Sequence, residues 1–257
     1  MKLDQISALI TGAASGIGRC FALELATAGA TVIAGDIDED GLDALVDDAR
    51  GLAGSIRGLV VDVSREDSVQ KLVAAARAAL GHAPSLLVNN AAILRDGLLV
   101  HQDEPGGWVR QLPTSQWKAV LDTNLNGPYY AAREVAAAML EGNVKPALIV
   151  NISSITSAGK HGQSNYAAAK AGLDAVTRTW SLELAPYGIR VAAIAPGLTD
   201  TPMAAGVAPD AVAEMLAGIP LGRMARPDEI WAGLKFIIEC DYFTGRVLAI
   251  DGGASFL

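Results

Sequence analysis

Tyr166 and Lys170 stand four residues apart in the stretch "SNYAAAKAG", with only alanines between them. Alanine favours helix, and residues i and i+4 share one helical face. A phenol with an ammonium one turn away is a candidate proton donor and acceptor. Free tyrosine titrates near about 10, so a base working at neutrality needs roughly 3 units of lowering, about 4 kcal/mol. A unit charge at about 4 Å and an effective dielectric of about 20 supplies about 4 kcal/mol. Burial pulls a phenol the other way. The plain alternative is a surface helix with one aromatic and one solvated lysine.

A second cluster lies near the start of the chain. "TGAASGIG" places Gly12, Gly16 and Gly18 between a strand pattern and a helix pattern. Glycines there let a backbone approach a pyrophosphate and aim a helix N-terminus at it. Asp36 ends the next strand pattern, where an acid accepts hydrogen bonds from an adenosine ribose. Its carboxylate would repel a 2′-phosphate. The residues after it are Ile37, Asp38, Glu39 and Asp40, and Ser15 before Gly16 is not basic. NAD is therefore favoured over NADP, with Arg19 on the following helix as the one nearby cation. Asp62 ends a third strand in "VVDVS", placed either to cap the turn or to meet an adenine amino group.

The elements that must position these groups follow from apolar runs. Strand patterns fall at 7–11, 31–36, 56–63, 85–91, 147–153, 189–197 and 246–253. Helix patterns intervene, at about 16–28, after Asp36, at about 66–80, from about 114, and around Tyr166. Continuous apolar strands separated by helices predict an α/β fold: a parallel sheet covered on both faces, doubly wound and Rossmann-type. No linker or repeat divides residues 1–257, which predicts a single domain. Two excursions, at about 94–113 and 197–227, interrupt the alternation and leave from strand carboxyl ends, where ligands bind in such sheets.

Composition excludes other classes. Hydrophobic residues make up 51% and charged residues 19%, which suits a large core, and the net charge of −8 argues against nucleic acid and anionic membrane as partners. Cys20 and Cys240 make no disulfide framework or metal spacing. No apolar run is long enough to span a bilayer. The expectation is a soluble, cytoplasmic protein. His82 and His101 have no partner at metal-ligand spacing, so no catalytic metal is expected.

Taken in order, "TGAASGIG" (11–18), "DV" (62–63), "NNAA" (89–92), "TNLNG" (123–127), "NISS" (151–154), "YAAAK" (166–170), "PG" (196–197) with Thr201, and "DGG" (251–253) resemble the short-chain dehydrogenase/reductase family over nearly the whole chain. The resemblance implies NAD(P)-dependent interconversion of a secondary alcohol and a ketone on a small-molecule substrate, commonly by a homotetramer. It implies catalytic roles for Ser153 (thirteen before the tyrosine, with Ser154 set aside), Tyr166, Lys170 and Asn124. Tyr166 would exchange the proton, Ser153 orient the substrate oxygen, and Lys170 lower the phenol pKa and hold the nicotinamide ribose. Asn124 would fix a water leading to Lys170. It implies cofactor contacts at Gly12, Ser15, Gly16, Ile17, Gly18, Asp36, Asp62, Val63, Asn90, Pro196, Gly197, Thr199 and Thr201, beside Tyr166 and Lys170. Ala92 departs from the family pattern, which has glycine there.

Within the family, "GQSNYAAAKAGL" is similar to 3-oxoacyl-carrier-protein reductases. The inserted loop at 100–113 and Asp36 look closer to type-2 3-hydroxyacyl-CoA dehydrogenases. Secondary-alcohol and hydroxysteroid-type dehydrogenases share much of the pattern, and a non-catalytic NAD-binding sensor is the alternative of another class. His161, between Ser153 and Tyr166, is a candidate substrate contact. Trp108, Trp117, Met203, Met215 and Leu216 are candidate pocket residues, and Arg95, Arg110 and Lys118 candidate partners for carrier phosphates.

Overall fold

The computed structural model describes residues 1–206 and 209–254. Its centre is a parallel sheet in the order β3-β2-β1-β4-β7-β8-β9. The strands are β1 (Ser7–Thr11), β2 (Thr31–Asp36), β3 (Ser55–Val60), β4 (Leu86–Asn89), β7 (Ala147–Ile152), β8 (Ile189–Pro196) and β9 (Val247–Ile250). β5 (Val100–Gln102) and β6 (Val109–Gln111) form a separate antiparallel hairpin. β1 pairs with β2 on one side and β4 on the other. The chain therefore reverses its winding between β1 and β4, and a crevice opens at their carboxyl ends.

The period-2 alternation of strands sorts side chains to two faces. Ala8 and Ile10 of β1 join one core with Phe21, Leu25 and Trp231, under α1 (Gly16–Thr27), α2 (Glu39–Asp48) and α9 (Pro227–Glu239). Leu9 joins the other with Val69, Leu72, Val135 and Met139, under α3 (Glu66–Leu80) and α5 (Gly127–Glu141). Both faces are dry, which is why these strands read as unbroken apolar runs. α4 (Thr114–Leu121) and α6 (Ser164–Leu184) complete the layer bearing the site.

The doubly wound parallel sheet expected from the sequence is present. Some boundaries differ for local reasons. β3 ends at Val60 because Asp62 turns the chain: its Oδ1 accepts from Ser64 N at 3.0 Å and Ser64 Oγ at 2.6 Å. β9 ends at Ile250 because Gly252 and Gly253 take φ of +66° and +80°. The 94–113 excursion contains the β5–β6 hairpin, closed by Gly107 N to Glu104 O at 2.8 Å. The 197–227 excursion holds α7 (Pro202–Ala205) and α8 (Pro209–Ala217), and its residues 207–208 lie outside the described residues. Between α4 and α5 the helix widens into a π-turn, Asp122–Asn126.

Candidate active site

A cavity of about 820 Å³ opens at the carboxyl ends of β1, β4, β7 and β8. One end is the glycine turn. Gly12 and Gly16 adopt φ of +66° and +54°, and a Cβ on Gly12 would stand 2.6 Å from Ala91 Cα. The turn is pinned from three sides. Asn90 Nδ2 donates to Thr11 O at 3.1 Å and Gly12 O at 2.8 Å, and Asn90 N donates to Thr11 Oγ1 at 3.2 Å. Asp36 Oδ2 accepts from Ala14 N at 2.9 Å, and its Oδ1 accepts from Asp38 N at 3.1 Å. Ser15 occupies the N-cap of α1, yet its side chain caps nothing. Thr201, which caps α7, lies against the turn and would meet a Gly16 Cβ at 3.2 Å.

This cradle fits a dinucleotide: side-chain-free backbone at the turn, uncapped helix N–H groups, and a carboxylate with lone pairs facing the cavity. Ile17, Asp62, Val63, Pro196, Gly197 and Thr199 border the same cavity. Asp62 is mainly a turn-former, held by Ser64, with its own N–H donated to Ser68 Oγ at 3.1 Å. Gly18 does not itself border the cavity. It packs the helix onto the turn, where a Cβ would run into the Gly12 carbonyl. Arg19 is drawn away to Asp48 at the end of α2.

At the other end, α6 presents the pair seen in the sequence. Lys170 is 2% exposed, donates from Nζ to Ile152 O at 2.7 Å, and lies 5.4 Å from the Tyr166 ring centre. Burial pushes the lysine down to about 8, with Asp174 opposing that shift. The phenol does not follow the sequence expectation of a lowered pKa. Burial pushes it up to about 12, the Ser154 hydroxyl partly opposes this by hydrogen bonding, and the Asp96 carboxylate adds to the rise. An ammonium at 5.4 Å in an effective dielectric of about 20 is worth about 3 kcal/mol. Raising tyrosine from 10 to about 12 is worth about 3 kcal/mol, so a lysine at this range is not enough to bring the phenol below its ordinary value.

Ser153 and Ser154 both border the cavity, and they differ in their partners. Ser153 N still donates to Ile194 O of β8, at 2.7 Å, and its hydroxyl turns to Lys170 O at 3.4 Å. Strand alternation then sends the next side chain the other way. Ser154 is the hydroxyl that bears on the Tyr166 phenol, drawing its pKa down against burial, and its Oγ accepts from Thr156 N at 3.1 Å. Counting thirteen residues back from the tyrosine assumes one fixed loop length. Here it is the residue twelve back whose hydroxyl bears on the phenol's pKa.

Asn124 lies beside the site. It sits on the π-turn with no exposure, Oδ1 accepting from Ile93 N at 2.8 Å and Nδ2 donating to Ile93 O at 2.9 Å. The amide thus pairs with both backbone groups of Ile93 in the loop that follows β4. Asp96 and Gln163, not singled out from the sequence, are joined at 2.8 Å beside the phenol.

His161, Met203 and Met215 border the cavity. The other pocket candidates do not. Trp108 is 88% exposed on the hairpin, and Trp117 and Leu216 lie outside the lining. The expected carrier-phosphate partners are elsewhere too: Arg110 pairs with Asp103 at 3.0 Å, Arg95 donates to Leu94 O at 2.7 Å, and Lys118 does not reach the cavity. Ala92 borders the cavity.

Comparison with known proteins agrees with this geometry. Residues 12–255 match a family model described as Enoyl-(Acyl carrier protein) reductase. The chain is 41% identical over 256 residues to a 3-oxoacyl-[acyl-carrier-protein] reductase FabG of Thermotoga maritima, covering 98% of this chain and 99% of that protein. It is 37% identical over 249 residues to a cis-4-hydroxycyclohexanecarboxylate dehydrogenase of Sinomonas cyclohexanicum, covering 96% and 95%. A short-chain type dehydrogenase/reductase from Mycobacterium marinum superposes with a TM-score of 0.87 at 30% identity, covering 98% and 96%. The chain belongs to the short-chain dehydrogenase/reductase family and is an oxidoreductase acting between secondary alcohols and ketones.

Proposed function

We propose that the chain interconverts a 3-oxoacyl and a 3-hydroxyacyl thioester with NAD(H), and that Tyr166, Ser154 and Lys170 carry the proton transfer. The observation that carries this reading is the buried Tyr166 phenol sharing one cavity with Ser154 and Lys170, the lysine nitrogen 5.4 Å from its ring centre. A bound nicotinamide dinucleotide supplies hydride donation or acceptance. Tyr166 Oη begins protonated, because burial holds it far above neutrality, and it gives its proton to the substrate oxygen as charge gathers there. Ser154 Oγ hydrogen-bonds the same oxygen. Lys170, as ammonium, stabilises the tyrosinate left behind. Reduction therefore starts from the protonation state the protein favours, whereas oxidation needs a further positive charge to free the phenol of its proton.

Gly12, Ser15, Gly16, Ile17, Asn90 and Thr201 would hold the phosphate half of the dinucleotide, and Asp36 would accept from the ribose hydroxyls. With Asp36 at the strand end and Arg19 paired to Asp48, this end supports NAD over NADP. Ile93, Leu94, Ile155, Met203 and Met215 give the substrate end apolar walls suited to an acyl chain, and the FabG relative is named for a 3-oxoacyl thioester substrate. Tyr129 and Leu140 on α5 and Leu182 on α6 are exposed, which supports packing of these helices in a homotetramer.

The test is acetoacetyl-CoA reduction with NADH and NADPH side by side, for the natural chain and Tyr166→Phe. The reading expects NADH to be preferred and Tyr166→Phe to lose at least about a hundredfold in kcat with NADH affinity retained. Near-normal turnover by the phenylalanine variant refutes the proton-transfer assignment.

A further inference from the structure

α6 carries a second charged side chain on the face that holds Lys170. Asp174 lies four residues further on, one helical turn away. It is half-buried, and its Oδ1 is enclosed without a hydrogen-bond donor among the described residues. An enclosed carboxylate oxygen without a donor costs about 1–3 kcal/mol or more, and such a group is tolerated where an opposite charge compensates it. That charge is Lys170, whose one recorded hydrogen bond runs to a neutral carbonyl, Ile152 O. The two groups answer each other: a buried ammonium short of countercharge and a carboxylate short of donors.

Other ionisable groups on the elements packed against α6 face elsewhere. Asp122 on the π-turn accepts from Asn126 Nδ2 at 2.9 Å. Arg190 on β8 donates to Ile237 O and Phe243 O, each at 2.9 Å. Lys118 on α4 and Tyr187 beyond α6 bring no charge to bear on Lys170, and Asp96 bears on Tyr166. Asp174 is the charge that acts on the lysine, and burial outweighs it only as far as about 8.

We propose that Asp174 is a positioning residue: it keeps the buried Lys170 nitrogen an ammonium, and through it fixes the upper pH limit at which Tyr166 can act. The second half rests on the ketone-reducing reading above. The first half does not, and it can be measured on the protein by itself.

The experiment follows the Lys170 side-chain nitrogen by ¹⁵N NMR against pH, its signal assigned by disappearance in Lys170→Met. It compares the natural chain with Asp174→Asn, Asp174→Ser and Asp174→Glu. The pH profile of acetoacetyl-CoA reduction is measured on the same four proteins. Removing the carboxylate should lower the lysine midpoint by about one pH unit, a tenfold change in its ammonium-to-amine ratio, and the alkaline limb of the rate profile should move with it. Glutamate should restore both. A midpoint unmoved in the uncharged variants overturns the proposal. So does a rate lowered by one factor at every pH, which is what a merely structural role gives. Should neither uncharged variant fold, the natural chain decides: a midpoint at or above about 8 supports the proposal, and one below neutrality overturns it. If acetoacetyl-CoA is not turned over at all, the substrate reading fails while the NMR midpoint still judges Asp174.

Discussion

Ser153 and Ser154 are adjacent, identical in chemistry and differently partnered, so truncating each to alanine separates placement from composition. Ser154→Ala removes the hydroxyl that bears on the phenol and would bond the substrate oxygen. Loss of one preorganised donor at a developing oxyanion costs about 10²–10³ in kcat, about 3–4 kcal/mol. The same change orphans Thr156 N, whose 3.1 Å bond to Oγ caps the following turn, so about 1 kcal/mol of stability should go as well. Ser153→Ala loses only a 3.4 Å contact to Lys170 O, at the long limit for a hydroxyl bond. Its kcat should stay within about threefold, with at most about 1 kcal/mol of stability lost. The assay is loss of NADH absorbance with acetoacetyl-CoA, paired with thermal unfolding of both variants. A collapse of kcat in Ser153→Ala with Ser154→Ala little affected would refute the alternation argument and restore the residue thirteen before the tyrosine.

Two further outcomes follow from the same geometry. Lys170→Met should raise thermal stability at pH 7 while abolishing turnover. The folded-state pKa of Lys170 lies below its unfolded value, so the unfolded chain binds more protons between about 8 and 10.5, and the natural protein should gain stability as pH rises through that window. Below it the buried ammonium costs up to about 3 kcal/mol, less about 1 kcal/mol for its bond to Ile152 O; pH-dependent melting of both proteins checks the sign. Gly18→Ala should weaken NADH binding at least about tenfold, about 1.4 kcal/mol, because the new methyl meets the Gly12 carbonyl and the Asn90 amide. Fluorescence titration with NADH measures it, and unchanged affinity would show that the turn yields.

The sheet was legible because its strands are dry on both faces, which leaves runs such as "SALIT" that nothing else produces. Strand ends were less so. "VVDVS" continues the apolar run past Val60, and only the Asp62–Ser64 hydrogen bonds show where the chain turns. The hairpin was hidden for the opposite reason. Every residue of β5 and β6 is exposed, so no buried face imprints a period on the sequence. The π-turn at Asp122–Asn126 differs from α-helix by one residue per turn, too small a signal to read from composition. At the site, Tyr166, Lys170 and Asp36 stood out because each combines a rare group with a fixed place on its element. The phenol's upward shift could not be read from spacing. It depends on how much water the surrounding loops exclude, and that is settled by the 152–163 segment and Asp96 together.

The clamp of Asn90 on the glycine turn has a thermodynamic consequence. The loops after β1 and β4 are already fastened to each other, and Asp36 fastens the first of them to β2. A phosphate-bearing ligand arriving there meets a surface in its final shape, so little conformational entropy remains to be lost on that side of the cleft. Calorimetry on adenosine diphosphate alone should then show a smaller entropic penalty per contact than a docking surface that must first organise itself.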